Sequence, residues 1–257
     1  MKNIILTEWL KVKSYRTFWI MVVLAAIVPL AGNLLMADFF TTNLKAAKNL
    51  VGDPFSFPDV WLTTASICSY VSSLYGLLLI ILVTNEFTFR TNRQNIIDGW
   101  DRKEFVYSKL FWLLKLAGLS LLVATISAIF VGLKYGTTSI SFEGYQYVVI
   151  YFLQMLVLLT IALLIAVFFR RAGISIVVFM AYTMMLEQII VSILKKYVGL
   201  VGGLLPLQTG DELIPFPLTG KLIQSDQYNS SVYVVVMIAY IFLGIWLVFR
   251  KIMKSDL

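Results

Sequence analysis

Residues 85–109 read NEFTFRTNRQNIIDGWDRKEFVYSK, with five basic and four acidic side chains, and more than twenty residues on either side carry scarcely a charge. A run of about 20 apolar residues is long enough to cross the hydrocarbon core of a bilayer as a helix. The charged island is therefore a polar loop joining two membrane spans, and the fold question becomes how many such spans the chain contains.

The whole composition points the same way. Of 257 residues, 60% are hydrophobic and 14% charged, with a mean hydropathy of +0.86, whereas a soluble domain is about half apolar and about a quarter charged. Long apolar stretches predict helices at Thr17–Ala37, Leu62–Thr84, Leu110–Leu133, Tyr147–Phe169, Gly173–Leu194 and Val232–Phe249. The expected fold is thus all-α, a single polytopic domain over residues 1–257 with six transmembrane helices. The first apolar stretch, Phe18–Met36, is longer than a signal-peptide core and lacks a small-x-small cleavage site, so it reads as a retained span.

Charge sets the expected orientation. With the N-terminus inside, the inner segments carry 14 basic residues and the outer segments six, while Lys115 lies near the inner end of the third helix. The positive-inside rule then places both termini and the island in the cytoplasm, in a multi-pass protein of a bacterial inner (plasma) membrane. The net charge of +7 belongs to segments beside apolar runs, where it meets lipid headgroups, and gives no reason to expect nucleic acid.

Residue usage also removes chemistry. Histidine is absent, which excludes His-based acid/base catalysis, Ser/His and Cys/His nucleophile pairs and the commonest zinc ligand. The one cysteine, Cys68, cannot form an intrachain disulfide, and no metal site is expected.

Within the island, Thr91 and Gln94 have capping-box spacing, Ile96 and Ile97 follow, and Gly99 suits the position just past a helix end; a short helix is expected over Asn92–Asp98. Asp101 and Glu104 form a second cap-like pair, opening a helix that runs through Lys109 into the third span. Mixed charge around an Ile/Ile/Trp centre suits a protein docking surface better than anionic lipid, although a well-capped loop with solvated charges reads equally well from physics alone. Ahead of the first span, MKNIILTEWLKVKSYR reads either as an interfacial amphipathic helix with Ile5, Leu6, Trp9 and Val12 facing lipid or as an extension of the first helix.

The pattern of Glu86 at the foot of the second span, Arg90 and Thr91, then Gln94–Gly99, then Arg102, Phe105 and Lys109, resembles the coupling region of ABC-2 type transporter permeases. The resemblance covers the whole chain in layout: six spans, cytoplasmic termini and an interfacial N-terminal helix. It implies a half-transporter without catalytic residues of its own. Its coupling helix, with Glu86, Arg90, Arg93, Gln94, Ile96, Ile97, Asp98, Gly99, Arg102 and Lys109, docks on a separate cytoplasmic ABC ATPase, in a complex of two permease chains and two ATPases. ATP and Mg belong to that partner. The nearest imitation of a phosphate loop here, PFPLTGKL at Pro215–Leu222, lacks the first glycine and the terminal hydroxyl, and falls on the outer side.

Several further positions stand apart. Glu187 is the only acidic residue well inside a span, and a charge near mid-bilayer costs on the order of 3 kcal/mol; it is read either as a substrate or subunit contact or as a structural hydrogen bond shared with Gln188. Between the last two spans, KKYVGLVGGLLPLQTGDELIPFPLTGK (195–221) has five glycines and three prolines among apolar residues. That composition suits either a re-entrant hairpin or a folded external loop with an apolar underside, and the resemblance implies an external gate formed by Gly199–Leu207 and Leu213–Leu222, with Gly199, Gly203, Pro206, Pro215 and Pro217 as its breakers. Rows of small residues, Ser120/Ala124/Ala128/Gly132 and Ala65/Ser69/Ser73, allow close helix packing.

The leading expectation is an ATP-driven exporter subunit for a hydrophobic or amphipathic substrate, since the spans carry little charge. A membrane scaffold without transport of its own, and an intramembrane enzyme recruiting loop residues, remain alternatives.

Overall fold

The computed structural model describes residues 2–43, 52–91, 94, 99, 101–216 and 227–254, and all regular structure among them is helical. An N-terminal helix, α1 (Lys2–Lys13), is followed by α2 (Arg16–Asn43), α3 (Val60–Tyr70), α4 (Ser73–Thr88), α5 (Arg102–Tyr135), α6 (Gln146–Phe169), α7 (Ala172–Tyr197), α8 (Gln208–Leu213) and α9 (Ser230–Lys254). Among the described residues five of these are long and apolar enough to cross a membrane, and the bent pair α3/α4, taken together as one span, makes six.

The second span departs from the continuous helix expected over Leu62–Thr84: it bends by 45° between Tyr70 and Ser73. Its cause is a run of serines. Ser69 Oγ donates to the Ser66 carbonyl at 2.7 Å and Ser72 Oγ to the Ser69 carbonyl at 2.6 Å, so side-chain hydroxyls occupy carbonyls that the helical ladder would use. The other spans match their expected positions with longer ends. Helix α5 starts where the Asp101/Glu104 pair places a helix start: the two form a capping box, the Asp101 backbone N–H donating to Glu104 Oε2 at 3.0 Å; its 34 residues extend about 50 Å, well beyond a hydrocarbon core of about 30 Å.

α6 lies at the centre, packed against α4, α5, α7 and α9, and most of one face is buried. Glycines permit the closest approaches. The Phe179 ring of α7 sits where a Cβ on Gly76 of α4 would be, and Thr160 of α6 fills the same space beside Gly244 of α9. The small-residue row of α5 packs within the chain: a Cβ on Gly132 would lie 2.5 Å from the Phe57 ring. At that end the connections before α3 and after α5 clasp each other, with Trp61 Nε1 donating to the Ser141 carbonyl at 2.8 Å and Thr137 N to Ser56 Oγ at 2.8 Å.

Helix α1 is separate from α2, the chain turning at Ser14–Tyr15. The extension of the first span is therefore not what forms. Leu6 and Trp9 are exposed, as expected of a lipid-facing stripe, whereas Val12 turns inward. Trp9 meets Trp19 edge-on at 6.0 Å, and the Trp19 indole donates to the Lys13 carbonyl at 3.1 Å, closing the corner.

Candidate functional site

The end of the bundle that carries α1, the foot of α4 and the head of α5 holds a buried cluster of charge. Lys109, immediately before the apolar part of α5, is 2% exposed and donates to Glu8 Oε2 at 2.9 Å and to Glu86 Oε1. Glu8, on α1, is equally buried; it also accepts from Lys11 Nζ at 2.9 Å and from the Trp112 indole at 3.1 Å. Lys11 lies 3.5 Å from Glu86. Two carboxylates and two ammonium groups thus balance, and every pair joins different helices except Glu8 with Lys11. Burial by itself raises the Glu8 carboxyl, but Lys109 and Lys11 outweigh it and bring it down to about 2. A cavity of about 300 Å³, walled by Glu8, Lys11, Tyr15, Asn85, Glu86 and Thr91 among others, opens beside the cluster.

The charged loop is suspended from this cluster. On its entry side Arg90 takes a left-handed backbone, φ +56°, and is exposed; Thr91 Oγ1 donates to the Glu86 carbonyl at 3.4 Å. Gln94 and Gly99 are exposed, and Gly99 has φ +93°, the conformation that a glycine just past a helix end supplies. On the exit side Arg102 Nη1 donates to the Met253 carbonyl at 2.8 Å, tying the start of α5 to the last turn of α9. Phe105 is buried edge-on to Phe87 at 5.9 Å. Arg93, Ile96, Ile97 and Asp98, and with them the short helix expected over Asn92–Asp98, lie outside the described residues. Among the residues assigned to docking, Glu86 and Lys109 are therefore interior bracing groups, and Arg90, Gln94 and Gly99 are surface groups.

A second polar site sits near the opposite end. Five residues of α7, Tyr182–Leu186, form a π-helical turn directly before Glu187; such a turn admits an extra residue and re-aims those that follow. Glu187 is 1% exposed, and its Oε1 accepts from the backbone N–H groups of Leu207 at 2.6 Å and Gln208 at 3.0 Å. Glu187 thus caps the start of α8, satisfying amides that a helix N-terminus leaves unpaired. Gln188 takes no part and is exposed.

The glycine- and proline-rich segment folds back between the spans. A 3₁₀ turn, Gly199–Leu204, leads through Pro206 to α8, with Gly199 at φ +74° and Gly203 buried under Tyr233 and Glu212. Three contacts fix its depth. Glu187 is ten residues from the α7 terminus at Tyr197, Tyr240, which donates to the Leu204 carbonyl at 3.0 Å, is ten residues into α9, and Gln154, which donates to Asp211 Oδ1 at 2.8 Å, is eight into α6. At 1.5 Å per residue these place the segment about 12–15 Å inside the helix ends. Of the expected second element, Leu213–Leu222, only the first part is described: Leu213 ends α8 (Gln208–Leu213) and the chain is non-helical from Ile214 through Pro215 to Phe216, while residues 217–222, Pro217 among them, lie outside the described residues.

Sequence reasoning did not single out Glu8, Lys195 or the Asp211/Glu212 pair. Glu8 was signalled by being the one acidic residue of the first sixteen, set between Leu6 and Trp9. Glu212 is buried and collects Lys195, Gln208 at 2.8 Å and Gln227 at 2.8 Å; of these three polar partners only Gln208 is near in sequence, so little local pattern announces the cluster.

An all-helical, multi-pass membrane protein whose one long charged loop is braced on three helices is the class that this geometry defines. The family model for ABC-2 family transporter protein matches residues 4–187, from α1 through the π turn to Glu187, and the chain belongs to that family. It is accordingly a transmembrane permease component of an ABC transporter, of a kind that is generally non-catalytic and works with an ABC ATPase. No curated protein matches the chain.

Proposed function

We propose that residues 1–257 form one ABC-2 type transmembrane domain, the permease subunit of an ATP-driven exporter, with both termini and the 85–109 loop in the cytoplasm. A cytoplasmic ATPase subunit docks on that loop, binds ATP and Mg, and supplies the power; the complex contains two ATPases and two permease chains. The substrate is hydrophobic or amphipathic, and the membrane is a bacterial plasma membrane.

What supports the coupling role is the brace of Glu8, Glu86 and Lys109. A loop that is to pass force into the spans must be rigid at both feet, and here its feet, the end of α4 and the start of α5, are joined through a buried ion network to α1. Displacement of the loop moves three helices together, the rigid-body coupling that domain-closure transitions use. The folded-back segment, held at depth by Glu187, is the outer gate of the same mechanism.

The test is co-purification with the ATPase encoded nearest to this chain. The variant carries Arg93→Glu and Ile97→Asp and retains Arg102, because Arg102 holds the end of α9. Wild type that captures an ATPase, and a folded variant that does not, support the assignment. A variant that holds its ATPase as firmly as wild type overturns the docking surface, and the absence of any ATPase brings forward the scaffold reading.

A further inference from the structure

At the same end as the brace, but on the outer face of the bundle, α6 and α9 run parallel; α9 finishes in basic residues, and α6 is followed by Arg170 and Arg171. They touch closely at Thr160 and Gly244. Beyond that contact, toward their C-termini, a groove of about 580 Å³ opens between them. Its walls are apolar, including Ile165, Phe168 and Leu247, and its mouth is ringed by Arg250, Lys251 and Lys254.

Three other cations at this end are engaged. Lys109 and Lys11 are spent on carboxylates, and Arg102 on a carbonyl. Among the described residues, Arg250, Lys251 and Lys254 make no ion pair; Lys251 is instead held over the Phe168 ring at 4.3 Å and Arg250 over the Trp246 ring at 5.2 Å. Two aromatic rings thus position ammonium and guanidinium groups at the rim, where no carboxylate among the described residues pairs with them. The helix surface leading away from the rim is exposed and apolar, through Trp246, Leu243 and Phe242. The volume lies in the range of ligand sites, about 300–1,000 Å³.

We propose that this groove is a binding site for an anionic phospholipid of the adjoining leaflet. The phosphate sits among Arg250, Lys251 and Lys254, and an acyl chain lies along Ile165, Phe168 and Leu247. Charge complementarity selects the occupant: three cations with no carboxylate partner among the described residues, above an apolar trough, match a lipid that carries net negative charge, and a zwitterionic lipid meets only the trough. The bound lipid fastens the end of α9, to which Arg102 ties the loop, so lipid composition bears on the loop through a path separate from the brace.

Native mass spectrometry of the full chain, titrated in detergent with phosphatidylglycerol or with phosphatidylcholine of the same acyl chains, tests this. At low salt the wild type should prefer phosphatidylglycerol by on the order of a hundredfold, roughly fivefold for each cation. The R250Q/K251Q/K254Q variant should fall to within a few-fold of equal binding, and Lys134→Gln, at the opposite end, should leave the preference intact. Ile165→Trp and, independently, Leu247→Trp fill the trough and keep the charges; they should weaken both lipids. Equal binding of the two lipids by wild type, a preference that survives the triple substitution, or tryptophan variants that bind as wild type each overturn the site. Release of phosphatidylglycerol by inorganic phosphate at comparable concentration overturns the lipid as occupant.

Discussion

Replacing Lys109 by Met, a side chain of similar length, leaves Glu8 and Glu86 facing each other across the position of the lost ammonium group. Lys11 is only partly buried and reaches both carboxylates, at 2.9 and 3.5 Å, so it can hold one. The other is stranded. A buried carboxylate without a cation takes up a proton, which bounds the damage: with a free glutamate pKa of about 4.3 and about 1.36 kcal/mol per unit, protonation costs about 4 kcal/mol at pH 7 and about 1 kcal/mol at pH 5. The bound agrees with the roughly 3–5 kcal/mol seen when one partner of a buried ion pair is removed. The stranded group has its pKa raised in the folded state, so K109M keeps its stability at low pH and loses it as pH rises from about 5 to 7. Wild type behaves oppositely. Glu8 is depressed to about 2, so its contribution is full above the unfolded value and is lost only as pH falls from about 4.5 toward 2. Thermal unfolding of the purified protein, followed by size-exclusion fluorescence between pH 5 and 8, reads this difference. The triple variant E8Q/E86Q/K109M removes the stranded charge and should recover much of the loss and all of the pH dependence. A K109M protein as stable as wild type at pH 7, or a pH slope that the triple variant shares, would refute the brace.

Glu187→Leu leaves two buried amides of α8 without an acceptor, at about 1–3 kcal/mol each, whereas Glu187→Gln retains an oxygen and should cost less; limited proteolysis within 199–216, faster in the leucine variant, checks the order. Gly244→Leu drives a side chain into Thr160 of α6 and should lower stability by about 1–3 kcal/mol, as overpacking does, measured as a fall in melting temperature. Trp61→Phe removes the indole bond to the Ser141 carbonyl and should cost about 1 kcal/mol, with the 137–145 connection becoming more accessible to a cysteine-directed probe placed at Ser141.

The membrane character, the number of spans, the position of the charged loop and the second capping pair were legible in the sequence by itself. Each depends on interactions that are local along the chain: an apolar run of bilayer length, or Asp101 and Glu104 three residues apart across one helical turn. Even the bend of α3/α4 is local in cause, since Ser66, Ser69 and Ser72 bond to one another; hydropathy misses it because hydroxyls barely interrupt an apolar average. What only the tertiary structure decided is where charges lose water. Glu8 and Lys109 are 101 residues apart, and nothing near either one states that each will be the other's counter-ion. Their meeting separates α1 from the first span and turns Glu86 and Lys109 from surface residues into interior ones. Likewise Glu187 announced itself as an expensive charge, but its partners, the amides of Leu207 and Gln208, exist only once a glycine- and proline-rich segment has folded back beside α7. In a bilayer the cost of an unpaired polar group forces such pairings to be completed, and the three-dimensional arrangement of the helices selects which residues complete them.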